Sequence, residues 1–431
     1  MTTKTHISYL IFNEDITSPL LRRQVIELLE EIRKNTENIE ITLLAFISPL
    51  SIIKRFSKFR TMKIEMLKKN INLKIIFLPV PWPFPHCTFK KLDVGYRANG
   101  CWSRWAVRLL PVFVWPIIIY YRFTLGSRIF HCRSYPTAYA AIKLKQFKLF
   151  SIKVIFDPRS DFPEENITSG NWNKNDGNYN FWKSVEVMLL NQSDAVACIA
   201  KCNAAQYKAV APRAKLFFAP NNVDCKLFAR NLDARTNIRE SLGVSHDELL
   251  FVYLGAITST GWHRPDLYRT LVESLLLAKI KFRFVFLVPR HSNALIEHEF
   301  NLHIEQGEVI LINPNYDEVG RYLSACDYGV MLLHDEKNVV GTKIGEYLAS
   351  GLPIIVNRQC VGAADLIAEE SVGLTVDLNT ELIAQSRTNG LENIVNGEKL
   401  CDWSERVTHF AKNYFDNKVV ADRYIHQYKH I

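Results

Sequence analysis

The chain lacks most of what would place it outside the cell, across a membrane or on a metal. Its nine cysteines are scattered singly, and the closest pair, Cys198 and Cys202, has neither the spacing nor the histidine company of a zinc site. That pattern argues against a disulfide-built secreted domain and fits reduced thiols in a cytoplasmic protein. The first residues, MTTKTHISYLIFNED, turn polar and acidic too soon for a signal peptide, so export is not expected. The most apolar run, LLPVFVWPIIIYY from Leu109 to Tyr121, has 13 residues and two prolines. A spanning helix needs about 20, so this run is expected not to cross a bilayer. Low-complexity segments and internal repeats are missing too, which removes linker-rich and solenoid architectures.

What is present is a long, apolar, basic chain. Its 431 residues exceed one ordinary core, and 48% apolar content is enough to build two. The net charge is +9, with a concentration of Lys and Arg between Ile53 and Lys74. Such a basic face suits phosphate-rich partners, although a solvated helix face explains any single lysine equally well. No nucleic-acid-binding motif accompanies the charge, so nucleic acid is not an expected partner.

Short apolar runs alternate with amphipathic ones through the first half: ISYLIF, IEITLLAFIS, NLKIIFLPV, SRIFHCRS, KVIFDPRS, AVACIA and KLFFAPN. The alternation restarts with LLFVYLG, FRFVFLVP, VILINPN, YGVMLL and LPIIVNR. This predicts two doubly wound Rossmann-like α/β domains, residues 1–223 and 237–410, joined by a linker over 224–236. Residues 411–431, with Tyr414, Phe415, Tyr424 and Tyr428, read as a C-terminal helix returning to the first domain.

Ligands of open parallel sheets bind beyond the carboxyl ends of strands, so residues just after each apolar run are informative. After YGVMLL a helix is predicted to begin at Gly341 and Thr342, where free N–H groups and the positive dipole end suit a diphosphate. Gly341 permits close approach, and Lys343 adds a full charge. Glu346, one turn on, is an acceptor suited to a sugar's vicinal hydroxyls. Taken alone, Lys343 and Glu346 are better explained as a surface ion pair.

In the first half, Asp157, Arg159 and Asp161 follow the strand KVIFD in quick succession. Asp157 or Asp161 is a candidate to orient or deprotonate an acceptor hydroxyl, and Arg159 to bind phosphate. An ion pair of Arg159 with either aspartate is an equally good reading. His131, in FHCRS, is a further catalytic candidate, though a histidine there more often serves structure. Residues Trp102 to Phe123 mix Trp, Arg, Leu and Tyr as an interfacial segment does, while a core helix fits the pattern slightly better.

The pieces PNNVDCKLF, FVYLGAITSTGW, YLSACDYGVMLL and GTKIGEYLASGLPIIV occur in an order and spacing that resemble the family 4 retaining glycosyltransferases of the GT-B fold. The nearest likeness is to bacterial enzymes building capsular, exopolysaccharide or O-antigen units. FHCRSYPTAYAA and FDPRSDFPEE are similar to acceptor-domain segments of those enzymes. The resemblance implies that Glu346 holds the nucleotide ribose. It places Asn338 where the family has a glutamate touching the donor sugar. The family's diphosphate-binding Arg and Lys are missing after Gly255, where Ala256 follows, which leaves Lys343, His263 and Arg264 as substitutes.

The activity so implied is transfer of a sugar, with retention, from a UDP- or GDP-linked donor to a hydroxyl of a lipid-linked or free glycan. It involves no cofactor and no metal, in a cytoplasmic protein peripheral at an anionic membrane surface. A sugar-nucleotide epimerase of the same architecture, and a nonenzymatic glycan-assembly scaffold suggested by Asn338 and the missing basic pair, are the alternatives.

Overall fold

The structure is a computed structural model that describes residues 4–68, 70–80, 88–91, 96–99, 103–259, 262–378 and 400–431. Two compact units emerge, one of residues 1–90, 96–220 and 417–431, the other of residues 91–95 and 221–416.

The first unit is built on β1 (Thr5–Phe12), β2 (Ile39–Ile47), β3 (Lys74–Pro79), β6 (Ile129–Arg133), β7 (Lys153–Asp157), β8 (Ala195–Cys198) and β9 (Leu216–Phe218). Between them runs a small two-stranded ribbon, β4 (Thr88–Lys91) with β5 (Tyr96–Asn99). The large sheet has the order β3-β2-β1-β6-β7-β8-β9, with every neighbour parallel. Both faces are covered, which is why the strands read as nearly continuous apolar runs. Along β1, Leu10 and Phe12 enter one core while Ile7, Tyr9 and Ile11 enter the other, the period of two that a strand imposes.

The second unit has β10 (Leu249–Leu254), β11 (Phe282–Leu287), β12 (Val309–Ile312), β13 (Tyr328–Met331), β14 (Ile354–Asn357) and β15 (Gly373–Val376), all parallel in the order β12-β11-β10-β13-β14-β15. Strand order reverses between β1 and β6 in one sheet and between β10 and β13 in the other.

Three local expectations change. The crossing between units falls at Pro220 and Asn221, and residues 224–236 are not a free linker. Their second half enters the Leu232–Ser241 helix, capped by the Asn231 side chain, which accepts from the Ala234 N–H at 2.8 Å. The tail is two helices, Leu400–Tyr414 and Asn417–His430, broken where the Val223 N–H donates to the Phe415 carbonyl at 2.8 Å, so residues 411–416 stay with the second unit. Third, the 13-residue apolar run lies inside a longer helix, Arg104–Thr124, of 21 residues with Pro111 and Pro116 in its interior. Its buried face of Val107, Leu110, Val114, Ile118 and Tyr121 is 0–5% exposed, and that packing offsets the about 3 kcal/mol an interior proline costs. Among the described residues its Val107–Thr124 window is long and apolar enough to cross a membrane, yet only 33% of it is buried in the structure.

The helix Asn417–His430 is held by a buried polar cluster. His131 Nε2 lies 3.1 Å from Asp157 Oδ2, which makes it the protonated nitrogen, and Nδ1 then accepts from the Tyr428 hydroxyl at 2.6 Å. Tyr424 donates to Asp157 at 3.1 Å and accepts from Arg159 Nη2 at 2.7 Å, while Arg159 Nε reaches Asp157 at 3.0 Å. Burial alone would raise the Asp157 carboxyl, but Arg159 and then His131 hold it well below the usual carboxylate range. Burial pushes the His131 imidazole down, against the opposing pull of Asp157.

Both folded-state pKa values are depressed, so the unfolded chain binds more protons and stability falls on acidification: below about 6.5 for His131 and below about 3.9 for Asp157. His131→Gln is expected to flatten the fall in denaturant midpoint between pH 7 and pH 5, and an identical slope in both proteins would refute the assignment. Asp157→Asn, which strands the buried Arg159, is expected to cost about 3–5 kcal/mol in the same unfolding measurement.

Candidate functional site

The carboxyl ends of β10 and β13 carry the candidate residues of the second unit. β10 runs into Gly255, whose φ of +123° is a backbone conformation that side-chain-bearing residues rarely adopt. The following loop turns back where the Thr258 N–H donates to the His263 carbonyl at 3.2 Å, which returns His263 to the strand ends. Its Nδ1 lies 3.1 Å from the Leu332 carbonyl and is therefore the protonated nitrogen, leaving the Nε2 lone pair for Lys343 Nζ at 2.7 Å.

After β13 the chain is irregular to Gly341, and its start is pinned by Asn357, whose amide accepts from the Leu333 N–H at 3.0 Å and donates to the Leu333 carbonyl at 2.7 Å. Asn221 donates to the Val340 carbonyl at 3.1 Å. The Thr342–Ala349 helix then begins with Gly341 as N-cap and no side-chain cap. Its first-turn N–H groups thus lack the side-chain acceptor that Ser, Thr or Asp usually supplies.

Lys343 does not lie out on the helix surface in a pair with Glu346. It folds back so that its Nζ stands 4.7 Å from the Tyr253 ring centroid and 3.4 Å from the Tyr253 hydroxyl. A Cβ on Gly255 would lie 3.5 Å from Lys343 Cε. Burial pushes Lys343 down to about 7, although Glu346 acts the other way. Burial, and then the Lys343 charge, pushes His263 well below its usual value. Glu346 is 3% exposed on the same helix. The cluster can therefore offer an anion a helix terminus and a desolvated ammonium that the neutral His263 orients, with the buried Glu346 one turn away.

Of the remaining second-unit candidates, Thr342 is half-buried at the helix start and Asn338 half-buried in the irregular segment before it. Arg264 is the N-cap of the Pro265–Leu277 helix, and its Nε is buried without a hydrogen-bond partner. Tyr253, Asn221 and Asn357 were not singled out from sequence. Asn221 stands inside PNNVDCKLF, the one signal that pointed to it, whereas Tyr253 and Asn357 sit in apolar runs that look purely structural.

In the first unit the candidates separate. His131 and Asp157, 1% and 0% exposed, are committed with Arg159 to the cluster beneath Tyr424 and Tyr428, so an acceptor hydroxyl has no route to them. Asp161 is only half-buried, and Gln206 donates to its Oδ2 at 3.3 Å while Oδ1 has no partner. Burial, and then the nearby Glu186, raises its pKa. Glu186 itself accepts from Tyr135 and Lys183, both at 2.6 Å.

Two Rossmann-like units with parallel sheets of seven and six strands are the architecture of GT-B glycosyltransferases. No family model and no curated protein matches the sequence. Solved structures match the fold over nearly the whole chain. Sucrose-phosphate synthase from Thermosynechococcus elongatus is 16% identical with a TM-score of 0.67, covering 99% of each chain. HepE of Anabaena in complex with UDP is 12% identical with a TM-score of 0.66, covering 99% of this chain and 100% of that one. WaaG, a glycosyltransferase of lipopolysaccharide biosynthesis, is 12% identical with a TM-score of 0.56, covering 96% and 98%.

An ammonium whose folded-state pKa lies below its unfolded value of about 10.4 opposes folding most when charged, so stability should rise with pH between about 7 and 10. Lys343→Met is expected to flatten that rise and to leave the thermal midpoint at pH 7 no lower than wild type. A lower midpoint and an unchanged slope would place Lys343 in a stabilising ion pair instead.

Proposed function

We propose that the chain is a glycosyltransferase that takes a sugar from a UDP- or GDP-linked donor and passes it, with retention of configuration, to a hydroxyl of a lipid-linked glycan. The observation that carries this reading is the folding of Lys343 against Gly255 at the uncapped start of the Thr342–Ala349 helix, where strand order reverses. That is where a diphosphate meets both helix dipole and ammonium. In this reading Glu346 holds the ribose, Asn338 meets the donor sugar by neutral hydrogen bonds, and Lys343, oriented by the His263 lone pair, stands with Arg264 in place of the family's basic pair. The departing diphosphate is stabilised by groups already in place, the form of catalysis that electrostatic preorganisation supplies. Asp161 is the first-unit group suited to an acceptor hydroxyl, because its carboxyl is raised and one oxygen is unengaged. Such an acceptor belongs to surface polysaccharide assembly at the inner face of a cell membrane. HepE, one of the matching structures, is described with UDP and with UDP-glucose, which supports a uridine donor as the first to try.

A screen of nucleotide sugars by thermal unfolding tests the reading, since a ligand at 100 times its dissociation constant adds about 2.7 kcal/mol. In calorimetric titration Glu346→Gln is expected to weaken UDP and uridine alike by about 1.5–3 kcal/mol, the worth of a hydrogen bond to a charged group. Lys343→Met is expected to weaken UDP and spare uridine. Unchanged UDP affinity in both variants would remove the site from this helix.

A further inference from the structure

The outer face of the Arg104–Thr124 helix is the part of the first unit that its core does not explain. Opposite the buried face, Trp105, Leu109, Val112, Tyr120 and Phe123 are 50–68% exposed, and Pro116 is exposed between them. Steps of four, three, four, four and three residues align all six into one stripe along the helix. An ordinary surface helix carries polar residues there. Here the exposed polar residues are Arg104, Arg108 and Thr124, at the two ends. Phe147 and Leu149, 57% and 78% exposed, extend the apolar area, and Phe147 packs edge-on against Trp115 of the helix at 5.2 Å.

The charges on the helix itself have one sign. The guanidinium groups of Arg104 and Arg108 stand 5.3 and 5.0 Å from the Trp105 ring, and that of Arg122 stands 6.0 Å from Phe123. Residues 94–156 hold ten Lys and Arg and no Asp or Glu, but Arg133 is buried against Glu14 and Lys145 and Lys153 pair with Asp194, so the cations placed beside the stripe are Arg104, Arg108 and Arg122.

We propose that this face docks on an anionic lipid bilayer, with the helix lying in the interface plane, its stripe among the acyl chains and its arginines at the headgroups. The helix does not span, because its other face is the core of the unit. A second copy is a poor occupant, since a two-fold interface would set this basic helix, which carries no Asp or Glu, against itself. Docking rests on the first unit's surface alone and holds whether or not the chain transfers sugar.

Cosedimentation of the full chain with vesicles of phosphatidylcholine alone, or mixed with phosphatidylglycerol, tests the proposal. Wild type is expected to pellet with the mixed vesicles, less so as salt rises. Arg104→Gln with Arg108→Gln is expected to weaken that binding about 30-fold, from about 1 kcal/mol for each cation near the surface. Val112→Glu with Phe123→Glu, at solvent-facing positions, is expected to abolish it with the thermal midpoint unchanged. Equal recovery in the supernatant with and without phosphatidylglycerol would overturn the proposal, as would undiminished binding of the Val112→Glu, Phe123→Glu protein. A concentration-dependent dimer that this double variant dissociates would overturn it in favour of a second copy. UDP titration of the same proteins reports on the nucleotide site separately, so failure of one reading does not disguise failure of the other.

Discussion

The Thr342–Ala349 helix is packed so closely on its surroundings that two glycines cannot be replaced. A Cβ on Gly329 of β13 would run into the Tyr347 ring, and one on Gly345 would stand 2.5 Å from Val223 and 3.3 Å from Phe415. The Tyr347 hydroxyl completes the clamp, accepting from the Leu254 N–H at 2.7 Å and donating to the Val330 carbonyl at 3.2 Å, so one side chain ties the helix to β10 and β13 together. With the helix held there, Lys343 is directed toward Gly255 and Tyr253, and its ammonium loses water it would otherwise keep. The electrostatics of the site are thus a consequence of packing.

Two half-buried cations, Arg159 and Lys343, show how the same desolvation serves opposite ends. Arg159 is compensated by the Asp157 carboxylate and by Tyr424, so its burial anchors the C-terminal helix to the first sheet. Lys343 finds hydrogen-bond partners that are neutral, the Tyr253 hydroxyl and the His263 lone pair. A charge held out of water with neutral partners is unfavourable alone and favourable once an anion arrives, which is why perturbed groups gather at binding sites.

The fold was legible in the chain because buried parallel strands must be apolar on both faces, and runs such as ISYLIF and LLFVYLG could be nothing else. The Arg104–Thr124 helix was legible as a helix, but its length across Pro111 and Pro116 was not, since burial of Val107, Leu110, Val114, Ile118 and Tyr121 is a tertiary gain. Gly341, Lys343 and Glu346 stood out by spacing. Tyr253 and Asn357 did not, because an aromatic ring or an amide in an apolar run carries no local sign of what it will touch.

The sequence by itself determined two α/β layers, the place where each helix follows its strand, and the basic excess of the first half. These are properties of neighbours along the chain, set by side-chain period and by charge. Only the tertiary structure decided that His131 and Asp157 belong to a lock under Tyr424 and Tyr428, and that Lys343 leaves Glu346 for His263. Those partners lie 297, 267 and 80 positions apart along the chain, as His131 to Tyr428, Asp157 to Tyr424 and Lys343 to His263. Whether a charge is solvated, paired or stranded depends on what the fold brings against it, and no local pattern records that.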